Sequence, residues 1–231
     1  MSSKTYKASV AKIEKGKVYS IAEGFDLLKN VAYAKFDETV DVAFRLGVDP
    51  RHADQMLRGS IVMPSGTGKK ITLVVITSGE NITKAEKAGA DFVGGDDLIQ
   101  KISGGWMDFD RVIASPDMMG KIGKIARILG PRGLMPNPKL GTVTTDIDKA
   151  VAEQKSGKVE YRTDKTGIIH APIGKKSFTA EQLANNFKAI ATAIVKSKPA
   201  SAKGVFVKSV VVSSTMSPGI KIDTNEVINL G

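Results

Sequence analysis

The segment Ser65-Gly66-Thr67-Gly68-Lys69-Lys70 has the residue types of a phosphate cradle, small hydroxyls and glycines ahead of two lysines. A Walker-type loop needs Gly five positions before the Gly-Lys pair and Ser or Thr after the Lys; here those places hold Met63 and Lys70. The segment also precedes a strand-like run, whereas phosphate is cradled by amides at a helix N-terminus. A hinge with a basic rim is the better reading. Asp96-Asp97 could pair carboxylates for acid–base work, but acids opening a helical stretch serve more simply as a cap and as partners of the helix dipole. His52 and His170 stand far apart with no His or Cys nearby, so no metal site is expected. No Ser, His and Asp group sits in a nucleophile-elbow context, and no catalytic residue or cofactor is assigned.

Other segments suit contact with a polyanion. Lys35-Phe36, at the mouth of a strand, could put an aromatic face against a base and an ammonium against a phosphate, although Phe36 could equally be core. Ser213-Ser214-Thr215-Met216-Ser217-Pro218-Gly219 is small and rich in hydroxyls, so it could approach a sugar-phosphate backbone closely; an ordinary C-terminal loop is the plainer alternative. Gly130 to Thr142 reads G-P-R-G-L-M-P-N-P-K-L-G-T. Its three prolines fix φ and its glycines supply turns, which makes a loop of one shape with Arg132, Asn137 and Lys139 projecting outward as a candidate anion surface.

Composition agrees with that partner class. The 231-residue chain is 42% hydrophobic, enough for a real core, and carries 34 Lys+Arg against 24 Asp+Glu, a formal charge of +10. The C-terminal third, 158 to 231, has 11 basic and 5 acidic residues, so most of the surplus lies there. A second basic stretch spans 111 to 139, where Arg111, Lys121, Lys124, Arg127, Arg132 and Lys139 meet only Asp117. No apolar run is long enough for a bilayer, the N-terminal lysines interrupt any signal-peptide core, and cysteine is absent. A cytoplasmic protein with no membrane partner is expected.

The elements that must carry these residues follow from periodicity. Ser20 and Glu23 form a capping-box pattern before a helix to Ala32, and Val40, Val42, Phe44 and Leu46 alternate with polar residues as a half-buried strand. After a short strand at 60 to 63 and the Gly-rich break, strand and helix alternate: strands at 71–77, 91–93 and 111–115, helices at 82–88, 97–102 and 118–129, then a strand at 142–144 and a helix at 147–155. Beyond Gly157 come strands at 158–162 and 168–173 around a turn at 163–167, a long helix at 179–195 and a strand at 204–212. Residues 1–66 and 158–231 each leave an apolar face unmatched, so the expected fold is an outer α+β domain made of both termini with a Rossmann-like βαβ domain, 67–157, inserted in it. That inserted fold keeps a nucleotide-dependent enzyme open as an alternative, yet its first strand leads to Ser78-Gly79-Glu80-Asn81 with no glycine fingerprint. A DNA-binding repressor would need a recognition helix or basic ribbon, and none is visible.

A-K-F-D-E-T-V-D-V-A at 34–43, G-V-D-P-R-H-A-D-Q at 47–55, G-W-M-D-F-D at 105–110, I-A-S-P-D-M-M-G at 113–120, G-P-R-G-L-M-P-N-P-K at 130–139 and G-I-I-H-A-P-I-G-K at 167–175 together resemble the bacterial ribosomal protein L-one family, that of the mobile stalk of the large subunit. The resemblance runs almost end to end. It implies an outer domain that grips large-subunit rRNA, contact with tRNA leaving the exit site, repression of the protein's own operon mRNA, and a monomer when free. By position it implies RNA contacts from Lys35, Phe36 and Thr39, from His170 and Lys175 with Lys165 beside them, and from Ser213, Thr215, Met216, Pro218 and Gly219. Two positions depart from the family. Ser65 stands where it usually has His, and Ser217 where it usually has Gly; if that Gly serves a positive φ, serine would strain or shift the turn.

Overall fold

A computed structural model describes residues 4–230. Along the chain run α1 (Lys4–Ala11), α2 (Ile21–Val31), β1 (Thr39–Leu46), β2 (Arg58–Val62), β3 (Leu73–Ile76), α3 (Asn81–Lys87), β4 (Phe92–Gly94), α4 (Asp96–Ser103) and β5 (Arg111–Ala114). Two short turns of helix, α5 (Met119–Ile122) and α6 (Ala126–Leu129), precede α7 (Ile147–Lys155). Then come β6 (Lys158–Arg162), β7 (Ile168–Lys175), α8 (Ala180–Lys196), β8 (Val207–Ser214), β9 (Ile220–Ile222) and α9 (Thr224–Ile228). The backbone forms two compact units: a terminal unit of Met1–Gly68 with Val159–Gly231, and an internal unit of Lys69–Lys158.

In the terminal unit the strand order is β7-β1-β8-β9, all antiparallel, so the N-terminal strand β1 lies between two strands from the C-terminal part. Alternation decides which side of β1 is covered. Val40, Val42, Phe44 and Leu46 are buried, while Thr39, Asp41, Ala43 and Arg45 take the opposite face. α2 and α8 cover the apolar face. Phe187 of α8 sits edge-on to Phe25 of α2, centroids 5.6 Å apart, and stacks on Phe44 of β1 at 5.8 Å. Truncating such a ring typically costs about 3–5 kcal/mol. Both helices open with a capping box, Ser20/Glu23 as expected and Thr179/Gln182 in addition. β2 and β6 make a separate two-stranded ribbon.

The α8 stripe contains one polar member. Asn186, fully buried, accepts from the Ser65 amide at 2.9 Å and donates to the carbonyls of Gly66 and Ile173 at 2.9 and 2.7 Å. It pins the Ser65-Gly66 turn to the helix, so this stretch is held by α8 and presents no helix N-terminus to a phosphate.

The internal unit is a parallel sheet of order β4-β3-β5, in which β3 and most of β5 are buried on both faces while the edge strand β4 leaves Phe92 exposed. Val74, Ile76, Val112 and Ala114 face α4 and the segment with Met118, Ile122, Ile125 and Leu129; Leu73, Val75 and Ile113 face α3 and α7.

The structure corrects several sequence expectations here. Residues 118–129 are not one helix but short α and 3-10 turns, since Gly120 and Gly123 weaken a continuous α ladder. Residues 142–144 make only a bridge, Ala114 to Val143. Asp96 and Asp97 provide no side-chain cap; Gly95 is the cap position, and both acids lie in the first turn. α1, β9 and α9 had no expectation at all.

Candidate nucleic-acid interface

The face of the terminal sheet turned away from α2 and α8 is laid out in cross-strand rungs. Thr39 of β1 lies opposite Lys175 of β7, and its backbone carbonyl accepts from the Thr215 amide at 3.0 Å. Lys175 Nζ donates to Thr39 Oγ1 at 2.8 Å, while the Thr39 amide donates to Thr215 Oγ1 at 3.1 Å. Three residues from three distant parts of the chain thus form one row with an ammonium at its end. The next rungs hold Asp41 between Pro172 and Ser213, Ala43 between His170 and Val211, and Arg45 between Ile168 and Ser209. His170, Arg45 and Thr215 are exposed.

The loops at the end of this face are set by a carboxylate in the interior. Glu38 is fully buried; its Oε1 accepts from the Ala34 amide at 2.8 Å, and its Oε2 accepts from the Ser214 hydroxyl at 2.6 Å and the Met216 amide at 3.0 Å. Burial is the largest single influence on this carboxyl and works to raise its pKa. The hydroxyl of Ser214, the amides of Met216 and Ala34, and the nearby Lys176 charge outweigh it, and the group is held below the ordinary glutamate value. Asp37 accepts from the Ser177 amide and hydroxyl, both at 2.9 Å, and the Lys176 amide donates to the Glu38 carbonyl at 2.8 Å. The 34–38 loop is therefore fixed on both sides. On it Phe36 is 55% exposed, and on the 214–217 loop Met216 is 47% exposed. Two large apolar side chains left in water beside a basic row, while the backbone that carries them is tightly bonded, are what a stacking surface requires.

This ordered face is accompanied by a match along the chain: residues 28–218 fit the family described as Ribosomal protein L1p/L10e. The chain belongs to that family. It is a ribosomal protein of the cytoplasmic large subunit and binds rRNA there.

Within this family member the expected contact residues fall in different places. Lys35, Phe36, Thr39, Lys175, Ser213, Thr215 and Met216 lie on the end of the sheet face or on the two loops that Glu38 ties together. His170 lies two rungs further along. Lys165 is exposed in the turn before β7, where Asp164 accepts from the amides of Thr166 and Ile168 at 2.8 and 2.9 Å, so it stands at the opposite end of β7 from Lys175. Eight strand residues separate those ends by about 25 Å. Pro218 is buried, whereas Gly219 is exposed and has no room for a side chain: a Cβ there would meet Val211 Cγ1 at 2.7 Å.

Ser217 does not strain its turn. Among the described residues positive φ occurs only at glycine, and Ser217 Oγ accepts from the Ser214 amide at 2.8 Å. The hydroxyl supplies a bond that a glycine could not.

In the internal unit, the Gly130–Thr142 loop is cross-bonded within itself. Gly133 and Gly141 both take φ +69, and Thr142 Oγ1 accepts from the Asn137 amide at 2.7 Å and donates to the Asn137 carbonyl at 3.1 Å. Asn137 Oδ1 is not free to project, because it accepts from the Lys139 amide at 2.9 Å. Arg132 and Lys139 are exposed. Lys121 is paired with Asp96 at 2.7 Å and Lys69 with Asp110 at 2.5 Å, which removes both from the basic rims that the sequence suggested. His52 is exposed beside Asp49 at 4.0 Å, and among the described residues no group of three or more His, Cys, Asp or Glu side chains is disposed to hold a metal. No helix of the described residues is long and apolar enough to cross a membrane.

Sequence reasoning missed Glu38 and Asn186. Both signals were present: Glu38 is in phase with Val40, Val42, Phe44 and Leu46, and Asn186 is in phase with Leu183 and Ile190. A polar residue in a buried phase must be bonded, so each was a keystone written in the pattern.

Proposed function

We propose that the terminal unit clasps a folded, non-duplex element of large-subunit rRNA in the mobile stalk near the tRNA exit site, and that the same face binds a similar element in the messenger of the protein's own operon and represses it. The observation that carries this reading is the Lys175–Thr39–Thr215 row, flanked by exposed Phe36 and Met216 on loops that cannot move freely. Phosphate contacts from Lys175 and Lys35 supply attachment and orientation. Hydroxyls of Thr39, Thr215 and Ser213 meet ribose, and the Phe36 ring stacks on an unpaired base. His170 and Lys165 meet the backbone further along β7. No bond is made or broken, and the family's role as a ribosomal component favours this over a nucleotide-dependent enzyme.

The free protein is taken to be a monomer with the internal unit acting as a separate domain. Arg132 and Lys139 offer a second RNA surface there, on which exit-site tRNA is the proposed partner. Footprinting of the full chain on large-subunit rRNA, with heparin and the messenger leader as competitors, tests the reading. Protection of one structured region that the leader displaces and heparin does not is expected; equal displacement by both would overturn it.

A further inference from the structure

The internal unit has a groove at the β4 edge of its sheet, lined by Phe92, Leu98, Lys101, Gly104 and Trp106. Its walls follow from the chain between α4 and β5. Gly104 closes α4, Gly105 takes φ +98, and the Trp106 amide donates to the Lys101 carbonyl at 3.1 Å, which turns the chain's only tryptophan back beside β4. Phe109, a core residue, backs the indole with centroids 5.3 Å apart, so Trp106 is held in place. Phe92 meets the indole nearly at a right angle, centroids 4.9 Å apart and planes at 81°, and is still 42% exposed. An aromatic pair fixed from behind and open in front is a built surface, not a stray exposed side chain.

Shape and charge decide what fits. The volume of about 370 Å³ is at the small end of ligand sites, so the groove takes one ring and its attachments, not an extended segment. A flat ring laid on either aromatic meets the other edge-on; both contacts are favourable, and an aliphatic side chain gains neither. Among the described residues Lys101 is the one charged member of the lining. Lys69, Lys121, Lys155 and Lys158 of the same unit are paired with carboxylates, whereas Lys101 joins no ion pair among the described residues. A ring with an anion beside it is the chemistry of a nucleotide, and a chain of formal charge +10 from an rRNA-binding family draws nucleic acid to its surface. We infer that the groove holds one unpaired nucleotide of a single-stranded RNA segment, its base against Phe92 and Trp106 and its phosphate on Lys101. The site is separate from both surfaces described above. It lies wholly in the internal unit, and the Gly130–Thr142 loop ends at the other edge of the sheet, where Val143 bridges Ala114 of β5.

Trp106 is the reporter of its own site. The full chain is titrated at low salt with a short single-stranded oligoadenylate, the same oligomer built of abasic riboses, AMP, and a peptide pairing tyrosine with aspartates, while tryptophan fluorescence is read. Saturable quenching by oligoadenylate is expected, and it persists in Lys175→Gln, which impairs the sheet face of the terminal unit. Phe92→Ala is expected to weaken this binding by on the order of ten- to a hundredfold, and Lys101→Gln to flatten the slope of log affinity against log salt by about 0.7. Urea denaturation checks that both variants fold; if Phe92→Ala does not, Lys101→Gln, changed only at an exposed side chain, decides the question. Equal quenching by the abasic oligomer would overturn the inference, as would AMP or the peptide binding as tightly as oligoadenylate. Quenching that disappears in Lys175→Gln would trace the signal to the terminal unit, which overturns this inference and leaves the reading of the sheet face intact.

Discussion

The Glu38 carboxylate accepts from the Ser214 hydroxyl at 2.6 Å inside the terminal unit, although the two residues are 176 positions apart. The bond closes the start of β1 onto the end of β8, and the same carboxylate reaches the amides of Ala34 and Met216. One buried charge therefore sets the distance between the two loops that bear Phe36 and Met216.

Glu38→Gln keeps the shape but replaces one acceptor oxygen with a donor that faces existing donors. A loss of about 1–3 kcal/mol in unfolding free energy is expected, read from urea denaturation of the full chain. RNA affinity is expected to fall even where the variant is fully folded, because the loops lose their common anchor. Unchanged stability would show that the network contributes nothing.

Acid should act through the same group. The Glu38 carboxyl is held below its ordinary 4.5, so the folded protein binds fewer protons there than the unfolded chain. Its stabilisation is complete above about pH 4.5 and is lost as pH falls through the depressed folded value. Denaturation midpoints of wild type are expected to drop across that window more steeply than those of Glu38→Gln. Asp110 and Asp164, also held low, contribute a background common to both proteins. Parallel curves for the two proteins would refute the assignment.

Neutralising Lys175 or Lys35 removes one phosphate contact each. Lys175→Gln and Lys35→Gln should each weaken RNA binding and flatten the slope of log affinity against log salt by about 0.7–0.9. Filter binding between low and moderate salt reads this directly. A slope that stays as in wild type for both would place the phosphates elsewhere.

Phe36 separates binding from folding, since most of its ring is in water. Phe36→Ala is expected to change stability by no more than about 0.5 kcal/mol and to weaken RNA binding by about 1–3 kcal/mol. A large fall in melting temperature with unchanged affinity would return Phe36 to the core.

Local pattern was enough for the elements with one repeating environment. β1 and α8 were legible because alternation and helical spacing reflect which side meets the core, and Ser20 with Glu23 marked a helix start through bonds only three residues long. The 118–129 segment was misread because its apolar spacing suits a helix, while its two glycines let short turns meet the same burial. Basic excess and the order of the family's motifs pointed to RNA without any coordinates.

What the tertiary structure alone decided was pairing across distance. No periodicity can say that Thr39 meets Lys175 and Thr215, or that Glu38 is satisfied by Ser214. Those facts depend on strand order and register, which arise when the two ends of the chain bury their apolar faces together. Residue type states what a group needs; only the assembled sheet determines whether the protein supplies it or leaves it for a ligand.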